Sequence, residues 1–457
     1  RGVPGGFRMT TGDVCPAGFN HCGAFVGPNR LARALSLFPP GGDCRDASPL
    51  CEGKKNGPYL TVRESMRPHP IEPEISIPGL ESVVRASFMR RLNRFLVQCR
   101  HDGKPVRAYL PNPGRLWELL LPGRTLYLSA LTARKGRKSR RTVLAVERDG
   151  TPVLLHTHLA NRVAEGLLRR GMIPGLENAR VVRKEVSVGK NRFDFLLERG
   201  GKPFVLEVKS CTLYGKALAM FPDAVTERGR RHLEELARLS RGGTGAGVLF
   251  LVHSPKPRYF LPDFHTDPEF ARTLHERRED LLIRALAVEW GKDLSLSPRV
   301  RDMEIPWDIL VRENKDRGSY ILILRLSRRT RIAVGSLGEI AFPAGYYLYT
   351  GSAKKALGAR MARHLRKRKN FFWHIDYLVD HCDQSMCIPV RTGDDLEHEM
   401  AANLRKITDW SIPGFGSSDC PCETHLFGMK SHPLEQEEFI NHLQYFRMDR
   451  LGGELSP

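Results

Sequence analysis

The sequence predicts a multidomain α/β protein with an all-β part, and three observations lead to it. At 457 residues the chain is about three times a common domain length, so two or three separately packed units are expected. From about Glu81 to His156, short apolar segments alternate with Gly, Pro and Asn turns, the pattern of a small barrel. From Leu159 onward helical and strand periods alternate, the pattern of a mixed sheet covered by helices, and a further α/β unit begins near Gly318. No repeat relates the two halves.

Apolar residues make up 41% of the chain and charged residues 27%, and no uncharged run reaches the roughly 18 to 20 residues of a membrane span, so no membrane association is expected. Lys and Arg number 72 against 51 Asp and Glu, a net charge of +21. Such an excess favours a polyanion, DNA or RNA, through counterion release, although a solvated basic surface fits the charge equally well. The chain starts at Arg1 without an initiator Met, and no apolar core with a small-residue cleavage site follows. Its ten cysteines therefore read as reduced thiols or metal ligands in a cytoplasmic protein. Composition does not fix an oligomeric state.

Taken in order, residues 1–78 are rich in Gly and Pro and read as a poorly ordered extension. Cys15, Cys22, Cys44 and Cys51 lie there in two pairs, each with six residues between, but zinc knuckles use tighter pairs. The barrel, residues 79–156, is built from Arg85–Cys99, Pro105–Leu110, Thr125–Leu131, Thr142–Val146 and Val153–Leu155, with Arg137 and Arg140 on a basic hairpin tip. In residues 157–290 a helix over Leu159–Gly171 precedes strands near Val181–Val188, Phe193–Leu197 and Phe204–Val208, then a helix Glu227–Ser240 and a fully apolar strand Gly247–Val252. Residues 291–317, polar and carrying Pro298 and Pro306, read as a linker. The last unit, residues 318–432, has strands at Tyr320–Leu326 and Tyr346–Tyr349 and a basic helix Ala356–Arg368, and residues 433–457 read as a tail.

One constellation lies on the strands flanking Gly200-Gly201. Glu207 and Lys209 share a strand face, while Leu206 and Val208 point into apolar packing. Burying such charges costs several kcal/mol unless they pair or bind metal. Asp194 and Glu207 could hold Mg²⁺ or Mn²⁺ through hard oxygen ligands, Lys209 could orient the nucleophile, and Glu165 on the preceding helix could add a carboxylate. An ordinary cross-strand pair on a surface hairpin has the same spacing.

The segments Asn191-Arg-Phe-Asp-Phe195, Leu206-Glu-Val-Lys-Ser210 and Phe221–Leu236 resemble the sugar fermentation stimulation protein A family over roughly residues 80–290. That resemblance implies an OB-like barrel followed by a PD-(D/E)xK restriction-endonuclease-like domain, with Asp194, Glu207 and Lys209 on the nuclease motif and Glu165 on its helix. Asn112-Pro-Gly-Arg115 is similar to the family's barrel segment. The family's name also implies an alternative, a non-catalytic DNA-binding regulator of sugar-use genes. Candidate nucleic-acid contacts here are Arg94, Arg115, Arg137, Arg140, Arg192 and the helix pair Arg228 and His232.

A second constellation comprises Tyr320, Tyr349, Arg360 and Glu397, with Arg363 and His364 beside Arg360. Tyrosine can relay a proton, arginine can neutralise a phosphate oxygen and a carboxylate can hold a metal. Core or rim aromatics beside a basic binding helix fit the pattern too. With Tyr349-Thr-Gly-Ser-Ala353, Trp373–Leu378, Phe415–Cys422 and Thr424-His-Leu426, residues 316–432 resemble a divergent GIY-YIG nuclease domain. The resemblance implies that Tyr320 and Tyr349 are its signature tyrosines, Arg360 its helix arginine and Glu397 its metal carboxylate, with Glu399 the rival. Ser319 and Thr350 replace the signature isoleucines, so this domain either cuts or only binds nucleic acid. Cys420, Cys422 and His425 form a compact soft-ligand cluster, with His381, Cys382 and Cys387 elsewhere, and a structural or unliganded role is favoured over zinc.

Overall fold

The computed structural model describes residues 83–130 and 141–455. Arg137, Arg140 and the four cysteines of the N-terminal segment lie outside them.

The barrel is built from β1 (Val83–Asn93), β2 (Leu96–His101), β3 (Lys104–Tyr109), β4 (Thr125–Ser129), β5 (Arg141–Arg148) and β6 (Thr151–Leu154). The sheet runs β3-β2-β1-β4-β5-β6, and a β3–β5 pairing closes five of the strands into a ring with β6 outside it. The stretch expected as one segment, Arg85–Cys99, is a hairpin that turns at Arg94-Phe95.

The next unit contains α1 (Ala160–Arg169), β7 (Arg180–Val188), β8 (Asn191–Arg199), β9 (Lys202–Cys211), β10 (Leu213–Tyr214), β11 (Leu218–Phe221), α2 (Glu227–Arg241), β12 (Gly245–Val252), β13 (Tyr259–Pro262), α3 (Pro268–Glu276), β14 (Leu282–Trp290) and β15 (Leu296–Asp302). Its main sheet is ordered β15-β14-β12-β9-β8-β7, with β9, β12 and β14 parallel at the centre. The apolar run of β12 follows from burial on both faces. Val248 and Phe250 pack with Leu233 and Leu236 of α2 in a core that continues into the barrel, whereas Leu249 and Leu251 pack with Val163 and Leu167 of α1. β8 and β9 are joined by the two-residue turn Gly200-Gly201, whose φ values of 56° and 74° suit glycine.

The segment expected as a linker is structured. β15 pairs antiparallel with β14 and contributes Leu296 to the core, and α4 (Trp307–Glu313) buries Ile309 and Leu310. Its prolines mislead because Pro298 lies on an edge strand and Pro306 is the N-cap of α4, positions that need no interior N–H.

The last unit holds β16 (Gly318–Leu326), β17 (Thr330–Ala333), β18 (Glu339–Phe342), β19 (Gly345–Ala353), α5 (Leu357–Leu365), α6 (His374–His381), β20 (Gln384–Arg391), α7 (Glu397–Ile407), β21 (Trp410–Ser411), β22 (Leu426–Met429), α8 (Glu437–Arg447) and α9 (Gly452–Leu455). The sheet β20-β16-β19-β22-β21 carries Leu357 and Leu378 of α5 and α6 on one face, and Met400 and Leu443 of α7 and α8 on the other.

The segment expected as a tail is instead a brace. Arg447 of α8 pairs with buried Asp263 at 2.9 Å, Gln444 donates to the Tyr214 carbonyl at 3.0 Å, and Met448, Leu451 and Leu455 enter the apolar cluster around Phe264. Removing either partner of the buried Arg447–Asp263 pair would strand a charge. The two α/β units are therefore fastened through the C-terminal helices.

Candidate active site and a second polar pocket

The β8–β9 ladder ends where chemistry-bearing residues begin. Its last pair is Phe195 with Leu206, and beyond it the Val208 N–H donates to the Asp194 Oδ2 at 2.8 Å instead of to a backbone carbonyl. Phe193 and Phe195, two apart on a strand, enter different cores, so β8 twists away from β9 at Asp194. β9 meanwhile stays paired with β12 through Cys211. The parting strands open a cleft of about 460 Å³ lined by Asn161, Asp194, Glu207, Lys209 and Ser210, with Arg94, Asn112 and Gly114 from the barrel and Asp223 and Arg228 completing its wall.

Within it Asn161 donates to the Asp194 Oδ1 at 2.6 Å. Glu207 Oε1 accepts from Lys209 Nζ at 2.6 Å and from His232 Nδ1 at 2.8 Å, and Arg228 Nε donates to His232 Nε2 at 3.3 Å. The protonation that satisfies both imidazole contacts has the hydrogen on Nδ1. Glu207 Oε2 is buried and meets no hydrogen-bond partner among the described residues. Burial, with the neighbouring Glu207 charge, pushes the Asp194 carboxyl up to about 6, against the hydrogen bonds from Val208 and Asn161. Burial also disfavours the Glu207 carboxylate, but His232 and Lys209 outweigh it and hold that carboxyl below its ordinary value.

Glu165 is not brought to this cleft. It lines another, where its oxygens pair with Lys184 at 2.7 Å and Arg169 at 2.8 Å. The α1 residue at the carboxylates is Asn161, on the same helix face one turn earlier, so the cleft lies level with the start of the helix and Glu165 stands a turn beyond it. Arg94 is exposed at the cleft, its Nε donating to the Pro113 carbonyl. Arg115 is half-buried over the Trp117 ring, and its backbone N–H and that of Leu116 bind the Asp223 carboxylate at 2.7 and 2.9 Å. Its backbone thus ties the barrel to the cleft, while its guanidinium lies 4.9 Å over the Trp117 ring. Arg192 pairs with Glu185 outside the cleft. Asn161 had no local signal in the sequence, and Asp223, although it lies in the Phe221–Leu236 segment, was not singled out and meets Arg115 across 108 residues.

The second pocket, about 420 Å³, gathers Tyr320, Tyr349, Arg360, Trp373 and Glu397. Tyr320 lies opposite Gly351 across β16 and β19, where a Cβ would collide with its hydroxyl. That hydroxyl is 2.8 Å from His364 Nε2, and burial pushes both tyrosine phenols well above their ordinary value. Arg363 pairs with fully buried Asp376 at 3.0 Å and stacks over Trp373, as Arg360 does. Of the basic helix residues, Arg360 lines the pocket, whereas His364 and Arg363 are engaged within the protein. Glu397 accepts from Ser352 Oγ with one oxygen and meets His425 Nδ1 at 3.0 Å with the other. Glu399 does not line this pocket.

His398, which sequence reasoning missed, joins Cys420, Cys422 and His425, with donor atoms within 4.8 Å of one another. His381, Cys382 and Cys387 do not belong to this group. Cys382 and Cys387 pack against the apolar core, and His381 Nδ1 meets the Tyr377 carbonyl.

Comparison with known proteins accounts for all three units. The SfsA N-terminal OB domain matches residues 89–155, the sugar fermentation stimulation protein RE domain residues 158–293, and domain of unknown function DUF123 residues 319–448. A sugar fermentation stimulation protein homolog of Methanothermobacter thermautotrophicus is 36% identical over 231 residues, 50% of this chain and 95% of that protein. The chain belongs to the sugar fermentation stimulation protein family. In this family member a GIY-YIG-like DUF123 domain follows the two family domains. A homolog from Pyrobaculum arsenaticum is 41% identical over 45% of this chain and 88% of its own length. The solved structure of Pyrococcus furiosus SfsA in complex with Ca²⁺ is 31% identical, covers 52% of this chain and 99% of that one, and has a TM-score of 0.46. Among the described residues no helix is long and apolar enough to cross a membrane.

Proposed function

We propose that the protein is a metal-dependent nuclease whose chemistry resides in the Asp194–Glu207–Lys209 cleft, with the C-terminal unit binding nucleic acid. The observation that carries this reading is the unpartnered Glu207 Oε2. A buried carboxylate oxygen without a donor is costly, and its neighbours are a second carboxylate and a lysine rather than an apolar wall. Asp194 and Glu207 are the residues that would hold Mg²⁺ or Mn²⁺, since hard oxygen donors suit these ions. When bound, such an ion polarises a water and neutralises a phosphate oxygen.

The chain's own groups set up the rest. Val208 and Asn161 fix Asp194, and His232 with Lys209 fixes Glu207. Lys209 Nζ lies 2.6 Å from Glu207 Oε1, where it would orient a nucleophile or offset charge on the pentavalent phosphorus. Arg94 and Arg228, both lining the cleft, are the cations that would take flanking phosphates of a DNA or RNA strand that the barrel guides in.

The test is cleavage of labelled single- and double-stranded DNA and RNA in Mg²⁺ or Mn²⁺. Metal-dependent product from the wild type supports the nuclease. Salt-sensitive binding without product under either metal replaces it with a non-catalytic regulator.

A further inference from the structure

We infer that His398, Cys420, Cys422 and His425 form a structural zinc site that positions Glu397 in the C-terminal pocket. The ligands come from three places. His398 stands in the first turn of α7, the two cysteines lie in the Cys420-Pro-Cys422 loop, and His425 immediately precedes β22. His398 Nδ1 is 3.2 Å from Cys422 Sγ, and Cys420 Sγ is 3.2 Å from His425 Nε2. All four donor atoms lie within 4.8 Å of one another. A tetrahedral zinc with N and S ligands has donor separations of about 3.3 to 3.8 Å, so small side-chain adjustments complete the shell.

The donor chemistry selects the ion. Two thiolates and two imidazoles suit zinc and disfavour Mg²⁺ or Ca²⁺, and four protein ligands leave no open position for a substrate, as in structural sites. The surroundings are built for ligation too. His425 directs Nδ1 toward Glu397 Oε1 at 3.0 Å and Thr350 Oγ1 at 3.1 Å, which leaves the Nε2 lone pair for the metal. Its backbone N–H donates to the Phe415 carbonyl at 2.9 Å, and its side chain is buried.

This arrangement gives Glu397 a different task from the one the motif suggests. One of its oxygens meets a zinc ligand and the other accepts from Ser352 of β19, so the zinc shell holds Glu397 against the wall of the tyrosine pocket. The inference is independent of the nuclease reading of the central cleft.

The experiment is metal analysis of the untagged full chain expressed with zinc, alongside Cys422→Ser, His398→Ala and, as a control, Cys387→Ser. The expected result is one zinc per chain in the wild type and the control, falling about tenfold in the two ligand variants. Cobalt exchanged into the wild type should show the intense visible bands of a tetrahedral site and a thiolate charge-transfer band, a readout that needs no variant to fold. Folded wild type with neither zinc nor the thiolate–cobalt band would overturn the proposal. So would full zinc retention in Cys422→Ser.

Discussion

The two polar pockets hold similar residue types and differ in what their carboxylates are already doing. In the central cleft, Glu207 is gripped through one oxygen and leaves the other unmatched. In the C-terminal pocket each oxygen of Glu397 has a partner, and the two tyrosines line the pocket from mostly buried positions, with the Tyr320 hydroxyl on His364. A buried oxygen with no donor is the costlier of the two arrangements, and it is the one a bound cation would relieve.

The largest expected effect sharpens this contrast. Glu207→Gln should lower cleavage by about 10²-fold or more while leaving binding at low salt intact, as read by single-turnover kinetics beside an electrophoretic shift. Next, His232→Ala removes the donor that orients Glu207 and should cost roughly 10 to 100-fold in rate or metal affinity, with the fold retained by circular dichroism. Equal loss from Tyr320→Phe would break the contrast. Arg94→Ala with Arg228→Ala should weaken strand binding at every sequence and flatten its salt dependence by about one or two phosphate contacts, measured by titration at several salt concentrations.

A smaller effect lies outside both pockets. Glu118 is buried beneath the junction of barrel and cleft, and burial, with the nearby Asp223 charge, raises its carboxyl from 4.5 to about 7. Because the folded value lies above the unfolded one, its contribution to stability is fully present below about pH 4.5 and is lost as pH rises through about 7. Glu118→Gln should therefore stabilise the protein by about 1 to 3 kcal/mol at pH 8 and flatten the melting temperature between pH 5 and pH 8.

Local patterns carried much of this architecture. The alternation in Val205–Lys209 already placed Glu207 and Lys209 on one face, and the run Gly247–Val252 marked a strand covered on both sides. Long-range juxtapositions were not legible. Nothing near Cys422 points to His398, 24 residues away. Nothing in α1 says which of Asn161 and Glu165, one turn apart on the same face, stands level with Asp194. The supposed linker and tail were misread for a related reason: their prolines and polar residues lie at an edge strand, a helix cap and an interdomain contact, where partners come from distant parts of the chain.

The most direct measurement compares Asp194→Ala and Glu397→Ala with the wild type in a metal-dependent cleavage assay on labelled DNA and RNA. Product is expected to vanish with Asp194→Ala and to persist with Glu397→Ala. Product that survives Asp194→Ala and disappears with Glu397→Ala would contradict the proposal and move the chemistry to the C-terminal pocket.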